Sequence, residues 1–119
     1  ADDRKESINR HGGEAYIDHS ESEISYTDFV NKELVHFSKY TNERAVPRML
    51  DGLKPSQRKA LFAALKRKLT SDVKVAQFVG HTSEKTAYHH GETSMAGAIV
   101  KLAQDFVGSN NINLLVPSG

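Results

Sequence analysis

The recurrence of Met95, Ala98, Ile99, Leu102, Ala103 and Phe106 constrains this chain more than anything else in it. These positions follow the order i, i+3, i+4, i+7, i+8, i+11, which lines one side of an α-helix and cannot line a strand. A helix with one apolar side must bury it against another layer. The stretch LKPSQRKALFAALKRKL (53–69) predicts a second helix, with Pro55 at the first helical position, where a missing N–H costs nothing. Its expected apolar stripe is Leu61, Ala64, Leu65 and Leu69, with Arg58, Lys59, Lys66 and Arg67 largely off it.

Two further helices are predicted. One covers about residues 27–39, where Ser25 or Thr27 can cap, Asp28 suits the first turn, and Phe29, Val30, Leu34 and Phe37 keep helical spacing. The other is shorter and covers DVKVAQFVG (72–80), with Gly80 as its stop. Pro47 and Gly52 break the chain between the first helix and the second. Gly108 is expected to end the last helix, VGSNN (107–111) to form an Asn-rich turn, and NINLLVPSG (111–119) to run as a short strand into a turn. Residues 1–23 are polar and without sustained period, so they read as an extended or partly disordered connector. On this pattern the chain is mainly α, and a helix-turn-helix or a generic helical bundle fits equally well.

Charge is unevenly placed. Residues 1–23 carry seven acids and three bases, and residues 24–119 carry eight acids and 13 bases. Between Asp51 and Asp72 stand Lys54, Arg58, Lys59, Lys66, Arg67 and Lys68, with no anion among them. Such a run suits a polyanion, or simply a solvated helix face. The absence of cysteine removes disulfide frameworks and thiolate metal sites. No apolar run is long enough to span a bilayer, and no apolar segment follows the basic residues of the N-terminus as in a signal peptide.

TAYHHGE (86–92) places a phenol, two imidazoles and a carboxylate together. As a metal site it would use His89, His90 and Glu92, with His81 as a fourth ligand. Adjacent histidines point apart, however, whereas a helical metal pair stands at i, i+4. A nucleophilic Tyr88 with a histidine base is the other chemical reading.

Six segments, DDRKE, DFVNKEL, DGLKPSQRK, VKVAQF, AYHHGE and LAQDFVGSNNINLL, together resemble the type IIA DNA topoisomerases of the eukaryotic branch. The family versions read DDRKEWL, DFINKEL, DGLKPGQRK, KVAQL, AYHHGE and LAQNFVGSNN, in the same order and with compatible spacing. Bacterial gyrase and topoisomerase IV subunits share DGLKP but not the double histidine, so the eukaryotic or large-virus branch is favoured. The resemblance implies a winged-helix domain of the catabolite-activator type over residues 24–119, truncated before its wing, with residues 1–23 a connector following a Toprim domain. Ser7 stands where the family has tryptophan.

The resemblance also implies a parent that is an ATP-dependent homodimer using magnesium, cutting and rejoining double-stranded DNA through a phosphotyrosyl link. Its nucleophilic tyrosine follows a GQFGTR-like stretch, which lies beyond Pro117-Ser118-Gly119, so this segment alone is expected to be inactive. Arg44, Lys54 and Arg58 are implied to approach the cleavage-site phosphates, with Arg48 an alternative to Arg44. Arg4 and Lys5 are implied as backbone contacts. Tyr88 and His89 are implied as DNA contacts or packing, and His90 as an auxiliary group beside the scissile phosphate. No metal ligand is implied in this segment, since the Toprim acids and the ATPase domain lie upstream. Gln57 and Lys59 stand as phosphate contacts or solvated residues. The implied location is nuclear for a eukaryotic parent and a cytoplasmic replication site for a viral one. The competing readings are a stand-alone helix-turn-helix module, which the small and apolar residues Met95, Ala96, Gly97 and Ala98 disfavour, and a helical protein-interaction domain.

Overall fold

The computed structural model describes residues 1–12, 16–108 and 112–119, and contains two compact units, Ala1–Val46 and Pro47–Gly119. The composition shift after residue 23 therefore falls inside the first unit rather than at its edge.

In the first unit, α1 (Asp2–Arg10) occupies nine of the 23 residues that composition suggests are an extended connector. No residue of α1 is buried, so it has no apolar stripe for a periodicity search to find. It packs beside α3, and its end charges suit the helix dipole: Asp2 and Asp3 stand at the positive end and Arg10 at the negative end. Lys5 pairs with Asp2 at 3.5 Å and Arg10 with Glu6, one helical turn apart. The predicted helix over 27–39 is a longer run: α2 (Tyr26–Asp28), a π-helical segment (Phe29–Leu34) and α3 (Val35–Ala45). Of the two candidate caps, Ser25 is the one used. Its Oγ accepts the Asp28 N–H at 3.0 Å, and Asp28 also pairs with Lys32 at 2.8 Å.

The second unit is three helices packed pairwise: α4 (Pro55–Arg67), α5 (Val75–Thr86) and α6 (Glu92–Ala103). Their shared core is Ala60, Ala63 and Ala64 from α4, Phe78 and Val79 from α5, and Met95, Ile99 and Leu102 from α6. Phe78 and Met95 are its largest fully enclosed apolar side chains. Each contributes roughly 1.5–3 kcal/mol of transfer free energy. The α6 stripe is buried as its spacing predicts through Leu102, but the helix stops at Ala103, short of Phe106 and Gly108.

On α4 the expected stripe is partly borne out, with Ala64 buried in the core and Leu69 packed against it, but Leu65 is displaced by Ala60 and Ala63. Ala60, Ala63 and Ala64 face the core, and Leu65 is 70% exposed. Small side chains let helix backbones approach closely, so the alanine side packs where a leucine side would hold the helices apart. Helix α5 runs through Gly80 instead of stopping there, because burying Phe78, Val79 and Thr82 outweighs glycine's weak helix propensity.

The expected C-terminal strand is corrected as well. From Ile112 onward the segment forms no strand among the described residues. The N–H groups of Leu114 and Leu115 both donate to Leu102 O, at 2.8 and 3.1 Å. They satisfy a carbonyl in the last turn of α6 that has no intrahelical partner. The VGSNN turn lies partly outside the described residues, since Ser109, Asn110 and Asn111 are not among them.

Candidate functional site

The basic start of α4 is built by the turn before it. Gly52 adopts φ +68°, the left-handed region open to glycine. The turn is closed by Gly52 N–H to Arg48 O at 2.8 Å and Arg48 N–H to Leu53 O at 3.1 Å. Lys54 is the N-cap residue of α4, and its backbone N–H donates to Gln57 Oε1 at 2.9 Å. Lys54 cannot return a cap with its own side chain, because an ammonium has no acceptor. The first-turn amides of a helix thus open beside a lysine, a combination that attracts anions.

Arg58 stands one turn further along α4 and is held by Asp51. Its Nη2 donates to both carboxylate oxygens of Asp51, at 2.6 and 2.5 Å. Asp51 Oδ1 also accepts the Leu53 N–H at 3.0 Å. These bonds, Arg58 first and the Leu53 amide second, hold the Asp51 carboxyl below the usual carboxylate range, and the charge of Arg48 adds to the shift. From sequence alone Arg58 is given no partner, so this ion pair is missed. An Asp-Gly turn just ahead of a helix whose first turns carry arginine is the signal that could have found it.

The double-histidine segment forms the link between α5 and α6, so these two helices and residues 87–91 make a helix-turn-helix. Ala87 closes α5 in the left-handed conformation, its N–H bonded to Ser83 O. Gly91 opens α6 at φ +90°, where any side chain would be strained. Glu92 is the first residue of α6, where its charge suits the helix dipole.

Between these two helix ends, Tyr88 packs against the core and its hydroxyl is enclosed with no hydrogen-bond partner among the described residues. Its ring meets His90 edge-on, centroids 5.6 Å apart, and the His89 and His90 rings lie 4.2 Å apart. His89 is exposed and His90 half-buried. Packing, one of the two roles open for Tyr88, is present in this geometry. An enclosed hydroxyl disfavours the reading of Tyr88 as a nucleophile.

Lys59 connects the two halves. Its Nζ sits over the Tyr88 ring at 5.8 Å from the centroid, so α4 and the histidine turn are tied by a cation–π contact. Gln57 and Lys59, which the sequence leaves between phosphate contact and solvation, here make a helix cap and a contact on the Tyr88 ring.

Among the described residues no three histidine, cysteine, aspartate or glutamate side chains converge as a metal cage. The donors at the start of α4 are cationic, a set suited to phosphate oxygens and not to magnesium.

The remaining candidates belong to the first unit. Arg4 and Lys5 are exposed on α1, and Arg44 is exposed in the last turn of α3. The first unit also has a cleft lined by Asp3, Glu6, Arg10 and His11, with neither Arg4 nor Lys5 in its wall. Beside it, His11 Nε2 and His36 Nδ1 share a hydrogen bond of 3.2 Å, and Tyr16 stacks on His36 at 4.6 Å.

Comparison with known proteins gives a consistent result. Residues 44–119 match the family described as the A-type subunits of DNA gyrase/topoisomerase IV, and residues 1–42 match the C-terminal associated domain of TOPRIM. The chain is 58% identical over 103 residues to the mitochondrial DNA topoisomerase 2 of Dictyostelium discoideum, covering 87% of this chain and 8% of that protein. It is 52% identical over all 119 residues to DNA topoisomerase 2 of Saccharomyces cerevisiae, again 8% of that protein's length. Among solved structures it is similar to the Plasmodium falciparum topoisomerase II DNA-binding, cleavage and re-ligation domain. The TM-score there is 0.72 and the identity 51%, over 94% of this chain and 15% of that one.

Proposed function

Because this chain belongs to the type IIA DNA topoisomerase family and spans about 8% of the relatives it matches, we propose that it is the DNA-gripping part of such an enzyme. The observation that carries this reading is the tie between α4 and the histidine turn: Lys59 over Tyr88, and Tyr88 against His90. It joins the helix bearing Lys54 and Arg58 to the helix-turn-helix that bears His90. The parent passes one duplex through a transient double-strand break in another, using ATP and magnesium, as a homodimer. Its location follows the parent, the nucleus for a eukaryotic enzyme and a cytoplasmic replication site for a viral one.

Within that reaction Lys54 supplies a mobile point charge and Arg58 a planar fork for the phosphates flanking the cut. Cations held there stabilise charge on the non-bridging oxygens as the phosphoryl group moves to a tyrosine outside this segment. His90, half-buried and braced on two rings, donates a hydrogen bond beside the scissile phosphate. Arg4, Lys5, Arg44 and His89 extend the grip along the backbone. Magnesium, when bound, supplies further charge stabilisation and is held by residues outside this chain. Contacts of this type read backbone rather than bases, so binding is weakly sequence-dependent and falls with salt.

The test is plasmid relaxation by the full-length enzyme. Lys54→Ala and Arg58→Ala each abolish relaxation while the protein stays folded by circular dichroism. His90→Ala lowers DNA cleavage more than DNA binding. Wild-type relaxation in both cation variants refutes the phosphate assignment, and equal losses of cleavage and binding in His90→Ala make that histidine structural.

A further inference from the structure

The Asp51–Arg58 pair has an unusual shape for a carboxylate on a guanidinium. A two-pronged match uses two parallel N–H groups on one edge of the fork. Here both oxygens fall on the single nitrogen Nη2, at 2.6 and 2.5 Å. Each usable edge of a guanidinium, Nη1 with Nη2 or Nε with Nη2, includes that atom. An oxyanion seeking a full fork on Arg58 must therefore move Asp51 aside.

Three further observations bear on what Asp51 does there. Its position is set independently of Arg58, because Oδ1 caps the Leu53 N–H at 3.0 Å and the turn is closed by the Arg48–Gly52 and Arg48–Leu53 backbone bonds. It is the one anion in sequence before a 20-residue stretch with six cations and none of opposite sign. Finally, the pair is open to water, with side-chain exposures of 40% and 42%. An exposed pair is weak and exchanges easily.

We propose that Asp51 is an internal stand-in for phosphate. It holds the Arg58 guanidinium in place while no DNA is bound, and a backbone phosphate displaces it when the duplex arrives. This rests on the reading of Arg58 as a phosphate contact and adds to it a built-in competitor. DNA binding then includes an exchange of carboxylate for phosphate on Nη2, which makes Asp51 a brake on affinity rather than a pure support.

The sign of the effect separates these roles. Asp51→Asn keeps an oxygen for the Leu53 amide and removes the competing charge, and Asp51→Ser does the same with a shorter acceptor. Binding of the full-length enzyme to a duplex oligonucleotide, read by fluorescence anisotropy over a salt series, should tighten about two- to fivefold in Asp51→Asn. The slope of log K against log salt should steepen by about 0.9 per site, the signature of one more net phosphate contact. Both changes should vanish in the Asp51→Asn/Arg58→Ala double variant, and Asp51→Ser should follow Asp51→Asn with an unchanged thermal midpoint. Unchanged or weaker binding in Asp51→Asn and Asp51→Ser, with Arg58→Ala still weakening binding, overturns the exchange and leaves Asp51 a support for Arg58. Wild-type binding by Arg58→Ala alone overturns the phosphate reading itself, and the exchange with it.

Discussion

Replacing Tyr88 by phenylalanine removes one oxygen and should strengthen the fold. The Tyr88 hydroxyl is shut off from solvent and has no partner among the described residues. A buried polar group left without a hydrogen bond costs about 1–3 kcal/mol. Phenylalanine keeps the ring that packs against the core, the edge contact with His90 at 5.6 Å, and the Lys59 ammonium 5.8 Å from the centroid. The expected gain is about 1 kcal/mol, the low end of that penalty, or roughly 4 °C in the melting midpoint for a chain of this size. Tyr88→Leu is the counterpart, since it also removes the hydroxyl but gives up the cation–π contact, about 0.5–1 kcal/mol, and a comparable ring–ring term. Urea denaturation of the 119-residue chain measures both, and covalent DNA-complex formation by the full-length enzyme measures function. Tyr88→Phe should form the covalent complex at the wild-type level. A folded Tyr88→Phe enzyme that forms no covalent complex would refute the reasoning, because the hydroxyl would then be a reacting group. A destabilised one would show that the hydroxyl has a partner.

Two other outcomes are expected. Ala63→Leu forces a larger side chain between α4 and its neighbours and should cost about 1–3 kcal/mol in urea denaturation, whereas Leu65→Ala should stay within about 0.5 kcal/mol of wild type; the reverse order would restore the stripe read from sequence. The pH dependence of the first unit turns on His11, whose proton affinity is lowered by lost hydration first, then by the positive charges of His36 and Lys39. The folded state thus binds that proton less well than the unfolded chain. Stability is full above the ordinary histidine pKa of about 6.5 and declines as pH falls through the lowered folded value. His11→Asn should flatten that decline between about pH 7.5 and 5.5 in urea midpoints, and an unchanged slope would show that His11 does not carry it.

Much of the arrangement could be read without coordinates, for identifiable reasons. The α6 stripe has large residues at helical spacing on one side only, so through Leu102 its buried face is unambiguous. Pro55 fixes the start of α4, because proline is tolerated in a helix only where its missing N–H is not needed. The six motifs carried the family, and the run from Lys54 to Lys68 marked a surface suited to polyanions. Helix α1 escaped because none of its residues is buried, which leaves no apolar period.

What only the tertiary structure decided are choices between near-equal alternatives. On α4, Ala60 and Ala63 compete with Leu61 and Leu65 for the buried side next to Ala64, and hydrophobicity alone prefers the leucines. The distance at which three helices pack selects the alanines instead. Glycine at position 80 lowers helix propensity by about 1 kcal/mol, a local penalty that burial of Phe78 and Val79 outweighs. The partners of Asp51 and Lys59 are set by where a turn and a helix end lie in space, which no linear spacing encodes. Sequence therefore determined which residues carry charge, which apolar-striped segments wind as helices and which family they belong to. Packing determined that Arg58 rests on Asp51, that Lys59 holds Tyr88, and that the tyrosine beside the two histidines is part of the core.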